Sequence, residues 1–600
     1  MFIWEKDELN TEQENAIYEK DNNTLLIACP GSGKTRTLTY KIAYELSRLK
    51  SEKEFIIAIT YTNAAADEIK DRVELLGVDT SRLWIGTIHA FCTEWILRPY
   101  SLHLNELKNG FKILNSHDAE ELITEFCQAE TNPRITYYDC QFIATTTEYK
   151  IASLETGKHR SIGNVLSKYL AKLKQNHQID YEQILYYSYL ILKEQPTICK
   201  ILSNIFPFLL VDEFQDTKDI QYHIILSIIK AGKGHSKLFI VGDPNQSIFD
   251  TLGGYSMPKN KMEQLTELPF TEYHLESNYR SSAIIITYFD HFKTFPNRIV
   301  AKGKLSDFAS VITFNDVVNH TLIVDEITRL ILYNITEKGI SPNEICIAAP
   351  QWIPLASLTR KLMVKLPDYS FDGPGMAPFA RDIDNFWFKL SRIVLTEPSP
   401  HIYIRRLRWA KEILHDLSAV GANVDDVTPK ELLKFCNSLD IQENEGVAYL
   451  VNAFNKIMES LKLKISYYPS LQEHYDSFFE SSAKRMKKLI DAGNDSINTI
   501  TNFRKVFKQR EGIKISTIHG VKGTEYDTVI GFGLIQSWVP HFQDPNGFVN
   551  SKKMLYVLAS RARKNLHIIS ETGRNINRYN PSGLLPTSHL IEYEFDYSEV

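Results

Sequence analysis

The stretch Leu25-Leu-Ile-Ala-Cys-Pro-Gly-Ser-Gly-Lys-Thr-Arg36 is an apolar run that breaks into a glycine turn ending in Lys34 and Thr35. A chain builds a triphosphate cradle in this way. Bare amides of the turn and of the following helix N-terminus point at the phosphates, a lysine adds a point charge, and a hydroxyl can ligate Mg²⁺. Ala28, Cys29, Pro30, Gly31, Ser32 and Gly33 would form the loop, Lys34 would reach the phosphates, and Thr35 would hold the metal. Ala28 stands where the usual pattern has its first glycine. The context fits, because an apolar run precedes the turn and a helical stretch, Thr37 to Leu49, follows it. The chain therefore reads as a user of nucleoside triphosphates.

Similar apolar runs recur at Phe55 to Thr60, Phe206 to Val211, Leu238 to Val241, Ile345 to Ala349, Ile513 to Ile518, Thr528 to Phe532 and Leu566 to Ile569. They predict buried strands of parallel sheets, and the helical stretches between them predict an α/β fold with ligands at the carboxyl ends of the strands. The strands fall into two groups, residues 1–92 with 200–272 and residues 273–375 with 505–600. Between them, residues 93–199 and 376–504 read as mainly helical insertions, with breaks expected at Pro398-Ser-Pro400 and Gly493-Asn-Asp495.

At 600 residues the chain should divide into several units, and 43% hydrophobic with 24% charged residues is ordinary for a globular protein. Seven scattered cysteines without a Cys-x-x-Cys pair argue against a disulfide framework and a zinc site. The N-terminus lacks a basic start followed by an apolar run, and no stretch of eighteen apolar residues occurs, so the expectation is a cytoplasmic chain without membrane segments. A net charge of −5 gives no global attraction to nucleic acid, but binding depends on local fields along a groove. Basic runs exist at Arg405-Arg-Leu-Arg408, Lys484-Arg-Met-Lys-Lys488 and Arg504-Lys505 with Lys508 and Arg510.

Leu210-Val-Asp-Glu-Phe-Gln-Asp216 follows an apolar run, so Asp212 and Glu213 should emerge at a strand end beside the glycine turn. Asp212 is assigned to the metal and Glu213 to the base that polarises the attacking water. Gln246, in Val241-Gly-Asp-Pro-Asn-Gln-Ser-Ile-Phe249, is placed to sense a γ-phosphate. Arg280 and Arg561 offer planar, permanently charged forks suited to a developing phosphate charge.

The ordered set resembles the superfamily 1A helicases of the UvrD/Rep/PcrA type. Asn10-Thr-Glu-Gln13 is similar to their Q motif, Ala28 to Thr35 to motif I, Ile59 to Ala66 to motif Ia, and Gly86-Thr-Ile-His-Ala-Phe91 to the Gly-Thr-Phe-His motif. Val211 to Asp216, Val241 to Phe249, Leu275 to Ser281, Thr517 to Asp527 and Tyr556 to Ala562 resemble motifs II to VI in order. The resemblance implies two RecA-like lobes, 1A (1–92 and 200–272) and 2A (273–375 and 505–600), with ATP between them. Insertion 1B would be 93–199 and a reduced 2B would be 376–504. It further implies that Gln13 binds adenine, that Tyr279 and Arg36 sandwich its ring, and that Glu525 meets the ribose. By the same resemblance Tyr61, Asn63, His89, Phe91, Phe249 and His519 would contact single-stranded DNA, the aromatic faces stacking on any base.

Three positions depart from the family pattern: Leu252 replaces an arginine after motif III, Thr524 replaces a leucine in motif V, and Asn550-Ser551 stand where an acidic pair is usual. The chain also resembles compact members such as the helicase subunit of the Gabija anti-phage system, through Ile96-Leu-Arg-Pro-Tyr100. The resulting expectation is an ATP- and Mg²⁺-dependent single-strand translocase and 3′–5′ helicase acting on single-stranded and tailed duplex DNA, in defence or repair. The alternative is a DNA-sensing regulatory ATPase that serves a partner nuclease with little unwinding of its own.

Overall fold

A computed structural model describes every residue except 1, 375–377, 380–381, 383–384, 492–494, 508–510 and 576–582. Gly493 and Asn494 of the expected break, and Lys508 and Arg510 of the basic run, lie outside the described residues. The chain divides into two compact units, residues 1–323 with 518–600, and residues 324–517.

The first unit is built on a six-stranded sheet formed by β1 (Asn23–Ala28), β2 (Ile56–Thr60), β3 (Leu83–Thr87), β4 (Phe208–Asp212), β5 (Lys237–Gly242) and β6 (Phe270–Leu275). Its order is β6-β1-β5-β4-β2-β3, and every pairing is parallel. The inner strands β1, β2 and β4 are buried at every position, and β5 at all but its first, because helices cover both faces. The edge strands differ. Phe-Thr-Glu-Tyr-His-Leu in β6 and Leu-Trp-Ile-Gly-Thr in β3 are only partly buried, which explains why neither shows the long apolar run that marks the inner four.

Parallel alignment brings the carboxyl ends of β1, β2, β4 and β5 to one edge of the sheet, where Cys29, Tyr61, Glu213 and Asp243 follow. A second parallel ladder in this unit joins β7 (Ile312–Asn315), β11 (Tyr526–Gly531) and β12 (Ala562–Ile569), with β12 central. Between β3 and β4 lie the helices Ser116–Cys127, His159–Gln175, Tyr181–Glu194 and Pro196–Ile205. The same stretch carries an antiparallel hairpin, Phe142–Ala144 with Tyr149–Ile151, which the mainly helical reading of residues 93–199 does not include.

The second unit holds parallel strands β8 (Ile345–Ala349), β9 (Phe371–Asp372) and β10 (Ile513–Thr517), with β10 in the middle. Its remainder is helical, from Phe386–Leu395 to Ile500–Lys505, around a core that includes the fully buried Trp387, Phe454 and Ile457. The molecule is thus α/β with RecA-like parallel sheets and helical insertions. Among the described residues no helix is long and apolar enough to cross a membrane, no three His, Cys, Asp or Glu residues cluster as a metal site, and all seven cysteines are free and buried.

Candidate nucleotide and single-strand site

The loop after β1 turns on Gly31 (φ 68°) and Gly33 (φ 80°), left-handed conformations that a side chain would strain. The helix Lys34–Leu46 begins directly after them, so its unsatisfied amides face the loop. The Ser32 hydroxyl donates to the Cys29 carbonyl at 2.7 Å and braces the turn. Gln13 is built into the same frame: its Oε1 accepts from the Asn10 amide (3.0 Å) and its Nε2 donates to the Ser32 carbonyl (2.9 Å). Asn10 returns the bond by accepting from the Gln13 amide, a capping box that starts the helix Thr11–Tyr18. Asn10 also donates to the Tyr279 hydroxyl at 2.8 Å. The Arg36 guanidinium stands 5.7 Å from the Tyr40 ring. Gln13 and, through Asn10, Tyr279 are thus held beside the loop, and the ring beside the Arg36 guanidinium is that of Tyr40.

Asp212 ends β4, and Glu213 follows in a left-handed conformation that turns its side chain toward Lys34. Lys34 is ion-paired with Glu213 and lies 3.7 Å from Asp212 Oδ1. Burial alone would lower the Lys34 ammonium, but the two carboxylates outweigh it and raise it overall. Burial lifts Asp212 above the ordinary carboxylate range despite Lys34. Glu213 ends below that range, because Lys34 and Lys522 overcome its own burial. From Glu213 a polar chain runs onward. Gln215 Nε2 donates to Glu213 Oε2 (2.5 Å) while its Oε1 accepts from the Asp243 amide (3.1 Å). Asp243 Oδ2 accepts from Gln246 Nε2 (2.8 Å) and from the Tyr556 hydroxyl (3.2 Å). Gln246 Oε1 in turn accepts from Arg561 at 2.9 Å. Burial lowers the Arg561 guanidinium to about 10, and its other donors reach the carbonyls of Val557 and Thr524.

Arg280 donates through Nε to Glu525 at 2.5 Å and through a terminal nitrogen to the Ser560 carbonyl at 3.2 Å. Glu525, placed at the ribose by the resemblance, is therefore a partner of Arg280 here, with Arg563 at 3.5 Å. Beside Gln215, Asp243 and Tyr556, two more motif residues to which the sequence gives no role act here. Asn278, fully buried, donates to the Pro30 carbonyl (2.6 Å) and accepts from the Arg280 and Ser281 amides (2.8 and 2.9 Å). It staples the Arg280 segment to the phosphate loop, and the Tyr279 amide adds a bond to Gly31 (2.9 Å). Lys522 donates to Asp216 Oδ2 and to the Gln246 carbonyl, both at 2.5 Å, and lies 5.2 Å from the Phe249 ring. Burial nevertheless pushes Asp216 up to about 6.

Beside this chain lies an aromatic face. Tyr61 stacks on Phe249 with centroids 5.2 Å apart, and Phe249 tilts against His519 at 5.5 Å. His519 Nε2 meets the Ile248 carbonyl at 3.1 Å, and burial lowers the imidazole pKa. Tyr61 is exposed. Asn63 is the half-buried first residue of the helix Asn63–Leu75. His89 packs edge-on to Tyr181 at 5.7 Å. Phe91 is the correction: it is 0% exposed, packed against Trp84 and Phe206, and offers no face to a base. Its position one helical turn inside the sheet edge sends the ring into the core. A cavity of about 410 Å³ adjoins the face, lined among others by Thr60, Tyr61, Asp212, Asp216, Phe249 and Leu252.

The residues present fit Mg²⁺. Asp212 Oδ1 is buried and accepts no hydrogen bond, and Thr35 stands in the first turn of the loop helix. Two protein oxygens suit an ion that keeps waters and takes its other ligands from phosphates.

A glycine cradle, a strand-end carboxylate pair and two arginines on parallel α/β sheets define the class of P-loop nucleotide-binding folds. Residues 9–261 match the UvrD/REP helicase N-terminal domain, and residues 437–573 match the UvrD-like helicase C-terminal domain. The chain belongs to the UvrD/Rep/PcrA type of helicases. It is 31% identical to DNA helicase II of Salmonella typhimurium over 291 residues, which are 47% of this chain and 39% of that protein. DNA helicase II of Escherichia coli gives the same figures. ATP-dependent DNA helicase PcrA of Staphylococcus aureus is 30% identical over 293 residues, covering 46% and 39%. The match thus spans about two fifths of the length of these relatives.

Proposed function

We propose that the chain hydrolyses ATP with Mg²⁺ and uses the cycle to translocate 3′ to 5′ on single-stranded DNA, separating tailed duplexes. The observation that carries this reading is the unbroken polar chain from Lys34 and Glu213 through Gln215, Asp243 and Gln246 to Arg561. Lys522 ties it to the Tyr61–Phe249 stack. Lys34 would bind the phosphates, Asp212 and Thr35 would hold the metal, and Arg280 and Arg561 would meet charge developing on the transferred phosphoryl group. Glu213 gains basicity in the process. When a γ-phosphate takes Lys34, Glu213 loses the partner that most depresses its pKa and can accept a proton from the attacking water. Tyr61, Phe249 and His519 would hold the strand without sequence preference.

In this reading, residues 1–92 with 200–272 act as lobe 1A, 273–375 with 505–600 as lobe 2A, and 93–199 and 376–504 as insertions 1B and 2B. Alternating closure of the lobes on ATP would step the chain along the strand. A second reading has its own observation. Leu252, 46% exposed, presents a methyl-ended side chain where the family's pattern has an arginine between the ATP and DNA sites. That favours loose coupling and a DNA-sensing ATPase subunit beside a nuclease. ATPase and strand-displacement assays on 3′-tailed, 5′-tailed and blunt duplexes separate the two. Hydrolysis stimulated by single strands with displacement of 3′-tailed substrates supports the helicase, and stimulation without displacement supports the sensor. A neighbouring nuclease gene would point to anti-phage defence and an isolated gene to repair.

A further inference from the structure

A carboxylate of the helix Tyr181–Glu194 reaches the turn that carries Glu213 and Asp216. Lys218 lies two residues beyond Asp216 and caps the helix Asp219–Ala231. Its ammonium is ion-paired with Glu182, in the first turn of the insertion helix Tyr181–Glu194. Both side chains are only 18% exposed, so the pair is poorly screened by solvent. The other Glu182 oxygen accepts the Ala144 amide at 2.8 Å, in the hairpin Phe142–Ala144 with Tyr149–Ile151. That hairpin also reaches the segment after Phe249: a Cβ at Gly253 would stand 3.2 Å from the Ile143 side chain. Gly254 in turn forms an isolated bridge with Lys218. Three elements therefore close on one another around Glu182: the turn carrying Glu213 and Asp216, the segment carrying Gln246 and Phe249, and the insertion hairpin.

We propose that Glu182 and Lys218 form a strut through which the insertion sets the position of the hydrolytic turn, making both of them positioning residues for DNA-stimulated ATP hydrolysis. The functional part rests on the activity proposed above. A rigid pair suits the task, because a carboxylate held by both an ammonium and a backbone amide has one orientation and passes displacement of the hairpin to residues 213–218. Gly253, which has no Cβ, allows the hairpin its close approach.

The test uses the full chain in four forms: wild type, Glu182→Gln, Lys218→Met, and the charge-swapped double variant Glu182→Lys with Lys218→Glu. Hydrogen exchange of the amides in residues 142–151 reads the strut without reference to activity. Lys218→Met should speed exchange in the hairpin by about tenfold, with the rest of the first unit unchanged. ATP turnover with and without a thymidine oligonucleotide then reads the consequence. Each single variant should lose about tenfold of the DNA-stimulated rate while basal turnover and the KM for ATP stay within about twofold, and the swap should recover most of the loss. Unchanged exchange in the hairpin overturns the strut, as does unchanged stimulation in both single variants. Loss that the swap fails to restore in a variant melting like wild type overturns it too. A wild-type chain that DNA does not stimulate refutes the proposed function and the strut's catalytic role, whereas the exchange result still decides whether the mechanical link exists.

Discussion

Lys34 and Glu213 face each other across the phosphate loop, and their substitutions should separate binding from chemistry. Lys34→Ala should weaken ATP binding. Glu213→Gln should bind ATP normally and lose roughly 10² to 10⁴ in turnover, read by nucleotide titration beside a steady-state assay; near-normal hydrolysis by Glu213→Gln would remove it as the base. The aromatic residues part in the same way. Tyr61→Ala and Phe249→Ala should weaken single-strand binding by about 1–3 kcal/mol each with little change in Tm. Phe91→Ala should instead cost about 3–5 kcal/mol of stability, and a Phe91 variant that melts normally but loses DNA would restore the role the structure denies it. Asp216 gives a pH signature. Its carboxyl sits at about 6 in the fold, above the unfolded value of about 3.9, so the native state holds the extra proton between those limits. This group therefore lets stability fall as pH rises from about 4 to 6. Asp216→Asn should flatten that part of the Tm–pH curve, and an unchanged slope would show that burial does not govern this carboxyl. Residue types and spacing made Lys34, Asp212 and Glu213 legible in the sequence. The inward turn of Phe91 was not, because one aromatic residue after a strand reads the same whether its ring faces core or solvent.

Elements were legible in proportion to their burial. All eight apolar runs became strands, and the strands not expected beside them in the large parallel ladders, Leu83–Thr87, Phe270–Leu275, Ile312–Asn315 and Phe371–Asp372, are the outermost of those ladders. Half-buried edges carry polar residues such as Glu272 and His274, which interrupt the run that marks a strand. The hairpin of Phe142–Ala144 with Tyr149–Ile151 escaped because each of its strands is only three residues long, too short to show a period. Loop-to-loop staples are invisible from sequence in a different way, since Asn278 joins Pro30 across 248 residues. Asn278→Ala should leave the Arg280 and Ser281 amides without acceptors and lower Tm, at about 1–3 kcal/mol for each buried group left unpaired. Asn278→Asp keeps the acceptor but sets a carboxylate against the phosphate loop, so it should stay closer to wild type in Tm while raising the KM for ATP. Equal Tm losses with unchanged KM would make the staple purely structural.

At the scale of the whole molecule, the order of nine motifs suggests two lobes with an insertion in each, whereas the boundary that compactness draws falls at residues 323–324 and 517–518. Chain order fixes which segments are inserted, but compactness depends on how tightly strands and helices from distant segments pack. Leu252 carries the question of coupling between ATP and DNA. Because it is 46% exposed, an arginine there would reach solvent and cost little stability. Leu252→Arg should raise the base pairs opened per ATP at matched Tm, and efficient, processive unwinding by the unmodified chain would remove the case for loose coupling. The proposed activity is tested most directly by ATP turnover of the purified chain with and without single-stranded oligonucleotide, with Glu213→Gln as control. Slow basal hydrolysis, strong stimulation by single strands of any sequence and no turnover in the control are the expected results. Hydrolysis indifferent to DNA, or equally fast in Glu213→Gln, would contradict it.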